Sequence, residues 1–248
     1  MKFIEQNAWQ FLSVKLPVLG AFLLLVLIPG LQWAVDFKLI PVEYHAYVTG
    51  GVMVFLSWLG KKWYQPSLHQ PLGFVAVTAG HSNADPGAVR GKDKEADFVV
   101  KVRNAVELYL LRAGLEVKTD GSGGINLPLT NAIQIAEGAS TKVEFHLNAS
   151  DNPKANGIET IALPKDKKLA QAISQAIAGV TGGVLRGDKG WIDQSQSARG
   201  KLGFVSNGGL VVELGFLSNP AEFAVLEAKY WLVAQSIADV IIAHEKAL

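Results

Sequence analysis

The sequence has no cysteine, and charged residues account for only 18% of its 248 positions. The absence of cysteine excludes disulfide bonds and thiolate metal ligands, although it does not fix the cellular compartment. The formal net charge of +1 provides no excess of basic residues, so nucleic acid is not expected as a partner. Internal repeats and low-complexity tracts are also lacking. The length fits one domain of ordinary size plus a smaller segment.

Hydrophobicity is concentrated near the N-terminus and raises the mean hydropathy to +0.23, which is high for a soluble protein. Residues 16–35 form an uncharged run of twenty residues, long enough to cross a bilayer core of about 30 Å. A second uncharged run, over residues 44–60, is at the short limit for a span and contains a histidine and two adjacent glycines. The two runs predict a membrane hairpin of two helices within residues 1–65. A secretory signal is the alternative for the first run, but the run is longer than a signal core and no A-x-A cleavage pattern follows it.

The lysines around these runs predict the orientation of the hairpin. Two lysines precede the first run, one lies between the runs and two follow the second. By the positive-inside rule, this distribution favours a multi-pass protein of the inner (cytoplasmic) membrane with both ends of the hairpin cytoplasmic, and the lipid bilayer is the expected partner. If the second run does not span, the rest of the chain lies on the opposite side. Residues 66–73 contain two prolines and are interpreted as a linker to a domain over residues 74–248.

The domain after the linker alternates apolar strands with amphipathic helices. The strands are predicted over 73–79, 115–118, 142–147, 157–163 and 209–213, and the helices over 95–112, 127–137, 165–184 and 230–247. This alternation predicts an α/β fold, with a largely parallel twisted sheet and helices on both faces.

Four side chains that bind metals or transfer protons fall at corresponding places in this pattern. His81, His146 and Glu213 each lie at or just past the end of a predicted strand. Glu95 lies in the first turn of the helix that follows the first strand. Because ligand sites in such sheets lie beyond the carboxyl ends of the strands, we expect the four groups to meet at one rim.

Two imidazoles and one carboxylate form a typical catalytic zinc site, in which the fourth position is open to water. We therefore predict that one Zn²⁺ is held by His81, Glu95 and His146, and that Glu213 carries the proton as general base and acid. Each residue alone has a simpler interpretation. A histidine after a strand is more often hydrogen-bonded than metal-bound, and Glu95 is also favoured simply by a helix N-terminus. A carboxylate at position 213, in a sheet centre, is costly unless it has a partner.

Six segments of this domain carry a resemblance to a known family. In chain order they are AGHSNADPGA, EADFVVKVRNAVELYLLRAGLEV, FHLNAS, GIETIAL, LRGDKG and VVELGFLSN. From about Phe74 to the C-terminus, roughly seven-tenths of its length, the chain resembles the zinc-dependent N-acetylmuramoyl-L-alanine amidases, which occur as phage endolysins and bacterial cell-wall hydrolases. The resemblance implies that His81, Glu95 and His146 bind the zinc ion and that Glu213 is the catalytic glutamate.

The sequence departs from the family pattern at three places. Ser82 and Asn83 stand where the family often has two glycines, Thr130 stands at the position of a usual arginine, and Glu144 replaces a usual serine. None of these changes removes a predicted ligand. They concern substrate preference and loop geometry rather than the class of reaction.

The resemblance implies hydrolysis of the amide between the lactyl group of N-acetylmuramic acid and L-alanine in peptidoglycan. Together with the hairpin, which is similar to small two-span holins, this predicts a membrane-associated phage endolysin for host lysis. The alternatives are a bacterial cell-wall amidase tethered to the membrane, a zinc peptidase that cuts within the stem peptide, and a holin-like membrane protein with a non-catalytic peptidoglycan-binding domain. No catalytic role is predicted for His45, His69 or His244, and the sequence does not predict an oligomeric state.

Overall fold

The structure is a computed structural model. It describes residues 73–197 and 199–248, together with positions 30, 33, 34, 37, 39, 41–44 and 47 near the N-terminus. The chain divides into two compact units, Met1–Pro71 and Leu72–Leu248. The predicted spans over 16–35 and 44–60 lie almost entirely outside the described residues. Among the helices of the described part, none is long and apolar enough to cross a membrane. Within the first unit, the described residues include one 3₁₀ turn, Val42–Tyr44.

The second unit is built around a six-stranded sheet. The strands in chain order are β1 (Val75–Ala79), β2 (Val89–Arg90), β3 (Asp93–Lys94), β4 (Val117–Thr119), β5 (Thr141–Asn148), β6 (Glu159–Ala162), β7 (Trp191–Asp193) and β8 (Leu210–Phe216). The main sheet has the order β4-β1-β5-β8-β6-β7, and β2 pairs with β3 separately. The first four strands of that order are parallel, whereas β6 is antiparallel to β8 and parallel to β7. The prediction of a largely parallel sheet is therefore confirmed.

Helices cover both faces of this sheet, also as predicted. They are α1 (Glu95–Arg112), α2 (Leu129–Ile135), α3 (Lys167–Thr181), α4 (Gly203–Ser206) and α5 (Pro220–Glu245). The three long helices, α1, α3 and α5, bury their apolar residues with the sheet in the larger core cluster. The two short helices, α2 and α4, contribute to a much smaller cluster on the other face.

The helix ends follow local signals in the sequence. Helix α1 spans the predicted residues 95–112, and Gly114 follows it with φ +83°, a conformation that favours glycine. Helix α5 begins ten residues before its predicted start. Asn219 caps its N-terminus by accepting from the backbone N–H groups of Ala221 and Glu222, and Pro220 occupies the first turn.

The pleat of β5 and β8 separates the core from the polar side chains of these strands. The members that enter the larger core cluster are Val143, Phe145, Leu147, Leu210, Val212 and Leu214. Because successive residues of a strand point to opposite faces, Glu144, His146 and Glu213 face the thinly covered side of the sheet. His146 and Glu213 are paired in register on these neighbouring strands.

Candidate metal centre

The predicted site residues come from four elements that meet at the carboxyl ends of the parallel strands. His81 follows β1, Glu95 is the first residue of α1, His146 lies near the end of β5 and Glu213 lies within β8. Three of them, His81, Glu95 and His146, each offer one ligand atom, and these three atoms all lie within 4.8 Å of one another. Glu213 is the strand neighbour of His146.

Glu95 is the centre of this cluster. Its carboxylate is fully buried and is held by two backbone donors, the N–H of Leu147 at 2.9 Å from Oε1 and the N–H of Ala88 at 2.9 Å from Oε2. His146 Nδ1 lies 3.0 Å from Oε1, and His81 Nε2 lies 3.0 Å from Oε2. Burial alone would raise the pKa of Glu95, but its contacts with the two imidazoles lower it well below the ordinary value. The carboxylate therefore remains ionised over the physiological range.

His81 is held in an unusual backbone conformation. Its φ is +70°, in the left-handed region that is uncommon for residues other than glycine. The side chain of Ser82 stabilises the following turn, because its Oγ accepts from the backbone N–H groups of Ala84 and Asp85. Asp85 Oδ2 lies 3.0 Å from His81 Nδ1. The ring is therefore held on its Nδ1 side and presents Nε2 to the cluster.

The two ring nitrogens of His146 each face a carboxylate. Nδ1 faces Glu95, and Nε2 lies 3.1 Å from Glu144 Oε2. Burial opposes protonation of this imidazole, but the two carboxylates outweigh that effect and raise the pKa of His146 to about 10. For His81, burial likewise opposes protonation, and the carboxylates of Glu95 and Asp85 raise its pKa above the usual value.

Two glycines leave room for the imidazoles. A Cβ atom at Gly80 would lie 2.2 Å from His146 Cε1, and a Cβ atom at Gly87 would lie 2.5 Å from His81 Cδ2. Gly87 also has φ +66°, so a side chain there would be strained in addition to colliding with the ring. These two positions tolerate no side chain while the rings keep their places.

Glu213 is buried beside the cluster, and its Oε2 has no hydrogen-bond partner among the described residues. Burial raises the pKa of this carboxyl to about 7. The neighbouring carboxylates of Glu95 and Glu159 also raise this pKa, because a second negative charge nearby is unfavourable. The charges of His146 and Arg199 lower it. At neutral pH the group therefore exchanges a proton readily.

A cavity of about 310 Å³ opens on the face where these groups lie. His81, His146 and Glu213 line it together with an apolar wall and one cationic side chain. The apolar lining is formed by Pro128, Leu129, Leu202, Phe204 and Val211, and the cation is Arg199. Arg199 lies in the loop between β7 and α4, which carries no periodic pattern, and sequence reasoning did not identify it.

The residues of the cluster fit a divalent metal ion. The donor set of two imidazoles and one carboxylate is typical of catalytic zinc sites. His81 Nε2 is buried and forms no well-aligned hydrogen bond with any residue that the structure describes, although Glu95 Oε2 lies 3.0 Å away. A buried nitrogen without a partner is costly, and a cation between the three ligand atoms would satisfy it. Of the other histidines, His244 lies in the last turn of α5, away from the cluster, and His45 and His69 lie outside the described residues.

The fold and the site together define an α/β protein with a candidate metal centre at the carboxyl ends of its parallel strands. A family model for N-acetylmuramoyl-L-alanine amidases matches residues 75–243. Since this match covers more than half of the chain, the chain belongs to that family. The resemblance indicated by the six sequence segments is thereby confirmed.

Individual relatives agree with this membership. The chain is 32% identical over 92 residues to the N-acetylmuramoyl-L-alanine amidase AmiA of Escherichia coli K12, a match that covers 36% of this chain and 32% of the relative. The matched stretch therefore spans about a third of that relative's length. A solved structure assigned as N-acetylmuramoyl-L-alanine amidase, from Neisseria meningitidis, is 40% identical, with a TM-score of 0.66 over 70% of this chain and 96% of its own. The catalytic domain of CwlV, an N-acetylmuramoyl-L-alanine amidase from Bacillus (Paenibacillus) polymyxa, is 28% identical, with a TM-score of 0.60 over 71% of this chain and 99% of its own.

Proposed function

We propose that this chain is a zinc-dependent amidase that hydrolyses the bond between the lactyl group of N-acetylmuramic acid and L-alanine in peptidoglycan. The observation that carries this proposal is the cluster of His81, Glu95 and His146 beside the buried carboxyl of Glu213, whose Oε2 has no hydrogen-bond partner in the described part of the chain. Membership of the amidase family supports the choice of substrate bond. One zinc ion per domain is the proposed cofactor.

His81 would contribute Nε2, His146 would contribute Nδ1, and Glu95 would contribute a carboxylate oxygen to hold the metal, because these atoms face one another. When bound, zinc polarises the scissile carbonyl and lowers the pKa of an attacking water. The backbone N–H groups of Ala88 and Leu147 hold the Glu95 carboxylate in place.

Glu213 is the proposed general base and general acid. Its carboxylate would accept a proton from water as the new bond forms between the water oxygen and the carbonyl carbon. The same carboxyl would then donate that proton to the alanine nitrogen as the carbon–nitrogen bond breaks. The products are a lactyl carboxylate and a peptide with a free N-terminal L-alanine. Burial raises the pKa of this carboxyl above its ordinary value, and a pKa closer to neutral pH suits both directions of transfer.

The cavity beside the cluster fits a substrate with small apolar groups near the scissile bond. Leu129, Leu202 and Phe204 form an apolar wall within the same cavity that His81 and Glu213 line. The lactyl group and L-alanine each carry one methyl group. Burial of these methyls against the wall would favour binding by about 0.8 kcal/mol each.

The decisive experiment uses the full chain, purified in mild detergent, and purified peptidoglycan. We expect the release of free stem peptides that begin with L-alanine, identified by mass spectrometry. A zinc chelator should abolish their release, and added zinc should restore it. A peptidase would instead leave L-alanine on the muramyl residue. Intact peptidoglycan after treatment with folded, zinc-loaded protein would contradict the proposal and favour a non-catalytic wall-binding domain.

We further propose that residues 1–65 form a membrane hairpin with spans over 16–35 and 44–60, and that the protein is a phage endolysin for host lysis. The support is the length of the two uncharged runs and the lysines around them. With both hairpin ends cytoplasmic, the enzyme would be separated from the wall until the membrane is breached. A bacterial amidase tethered outside the membrane is the alternative.

The orientation of the hairpin distinguishes these two cases. A reporter enzyme attached after Gln65 should be active on the cytoplasmic side. Activity only outside the cytoplasm would contradict the proposed hairpin and favour the tethered bacterial amidase. The amidase assay does not depend on this result.

A further inference from the structure

Glu144 is a buried carboxylate with no role in the proposed reaction. Its side chain is 5% exposed, and Oε2 lies 3.1 Å from His146 Nε2. We propose that Glu144 is a positioning residue, which accepts the Nε2–H of His146 and thereby aims the Nδ1 lone pair at the metal centre. The inference rests on the proposed metal-binding role of His146.

The backbone places Glu144 beside the imidazole. The two residues are separated by one position on β5, so both side chains lie on the same face of the sheet. On either side, β5 is paired with a parallel strand. Glu144 is in register with Thr78 of β1 and with Val211 of β8. The backbone of Glu144 is therefore held in place by paired strands in the centre of the sheet and not by a loop.

The hydrogen-bonding chemistry of the ring explains why this contact matters. A neutral imidazole carries its proton on one nitrogen and has a lone pair on the other. A carboxylate at Nε2 stabilises the form in which Nε2 is protonated, so Nδ1 is left as the acceptor. Nδ1 then faces Glu95 Oε1 at 3.0 Å. At that distance the two atoms need a shared proton or a cation between them, and a bound metal ion would take the place of the proton on Nδ1.

The two histidines have corresponding carboxylate partners that differ in exposure. Asp85 contacts Nδ1 of His81, the ring nitrogen that does not face Glu95. Glu144 likewise contacts Nε2 of His146, the nitrogen of that ring that does not face Glu95. The Asp85 side chain is 65% exposed, so water can replace it. The Glu144 side chain is only 5% exposed, although it also lines the cavity beside the cluster. We therefore expect Glu144 to contribute more to metal binding than Asp85.

The test is the zinc affinity of the full chain in mild detergent, measured by competition with a chromophoric chelator and with zinc alone as the probe. Glu144→Ala should weaken zinc binding by about 10- to 100-fold, the usual effect of removing a carboxylate that orients a histidine ligand. Glu144→Gln keeps an acceptor oxygen of the same reach and should recover most of this loss. Asp85→Asn should have a smaller effect than Glu144→Ala.

A second readout separates positioning from a purely structural role. In cobalt-substituted protein, the visible absorption of the bound ion should change in Glu144→Ala and return towards the wild-type spectrum in Glu144→Gln. Glu245→Gln is the matched control, because Glu245 is also buried and contacts Thr141 at the start of β5, away from the cluster. This variant should leave both the affinity and the spectrum unchanged.

Three results would overturn the inference. Unchanged zinc affinity in a folded Glu144→Ala protein would exclude positioning. Equal loss in the alanine and glutamine variants, with one fewer oxygen neighbour around the ion by X-ray absorption, would make Glu144 a ligand. Unchanged affinity with turnover abolished in Glu144→Gln would make it a proton carrier. If the wild-type chain itself bound no zinc, the proposed function would fail instead.

Discussion

The two faces of the central sheet differ in what covers them. On one face, three long helices enclose a large and continuous apolar cluster. On the other, two short helices contribute to a much smaller apolar cluster, and the cavity with its polar cluster opens on the same face. The same strands supply both faces, since Leu214 enters the core and its neighbour Glu213 faces the cavity. One face of this domain therefore stabilises the fold, and the other is open for chemistry.

The difference explains how buried charges are tolerated. Isolated ionised groups are costly in an apolar interior, so they require partners. Glu95 accepts hydrogen bonds from two backbone donors and lies 3.0 Å from two imidazoles, and all of these groups lie at one end of the sheet. By contrast, Glu213 has an oxygen without a partner among the described residues. Burial raises the pKa of this carboxyl and thereby favours its neutral, protonated form.

The largest expected effect follows from Glu213→Gln, which alters the open face and leaves the core face intact. Turnover should fall by about 10²- to 10⁴-fold, because the proton carrier is lost. Zinc content and thermal unfolding should remain close to those of the wild type, as measured by metal analysis and calorimetry. His81→Ala is the comparison variant, and it should lose both the metal and the activity. Retained turnover in Glu213→Gln would contradict the assigned role.

The second effect concerns stability and sharpens the comparison of the faces. Leu214→Ala removes a fully buried side chain from the core face and should lower the free energy of unfolding by about 2–5 kcal/mol. Leu129→Ala, on the cavity wall, removes a side chain that is already 45% exposed, and should cost about 0.5 kcal/mol. Denaturant unfolding gives both values. For the folded protein, Leu129→Ala should raise KM, whereas Leu214→Ala should leave KM unchanged.

The smallest effect is a shift in the pH profile. Because Glu213 must be ionised to accept a proton, kcat/KM should fall as the pH drops through the pKa of Glu213, which burial raises to about 7. Bound zinc would move this midpoint lower without changing the direction. Glu159 raises the pKa of Glu213, so Glu159→Gln should move the midpoint to lower pH. Arg199 lowers the same pKa, so Arg199→Gln should move it to higher pH. Shifts of equal sign in the two variants would show that another group controls the profile.

Much of the domain can be predicted because its local patterns agree with one another. Helix α1 was predicted with correct bounds, since apolar residues recur at helical spacing and Gly114 ends the pattern. The rim could be predicted because the carboxyl ends of parallel strands meet at one edge, whatever the sequence distance between them. This brings His81 and Glu213 together without any local motif.

The features that were not predicted depend on how strands and loops are oriented relative to one another in the folded domain. Neither the reversed direction of β6 and β7 nor the contact of Arg199 with the cavity leaves a periodic signal in the sequence. Sequence reasoning assigned no role to Glu144, although the predicted strand over 142–147 already places it on the same face as His146. The early start of α5 had a local signal in Asn219 and Pro220, but the prediction relied on the later apolar residues.

The strand order also affects the biosynthesis of the protein. The last strand in sequence, β8, is inserted between β5 and β6 in the sheet. A nascent chain that ends before residue 210 would therefore have a gap in the middle of its sheet, and the facing sides of β5 and β6 would be unpaired edges prone to aggregation. It would also lack Glu213. Synthesis must pass β8 before the sheet closes and the site is complete, so translation products that end before this strand would be both unstable and inactive.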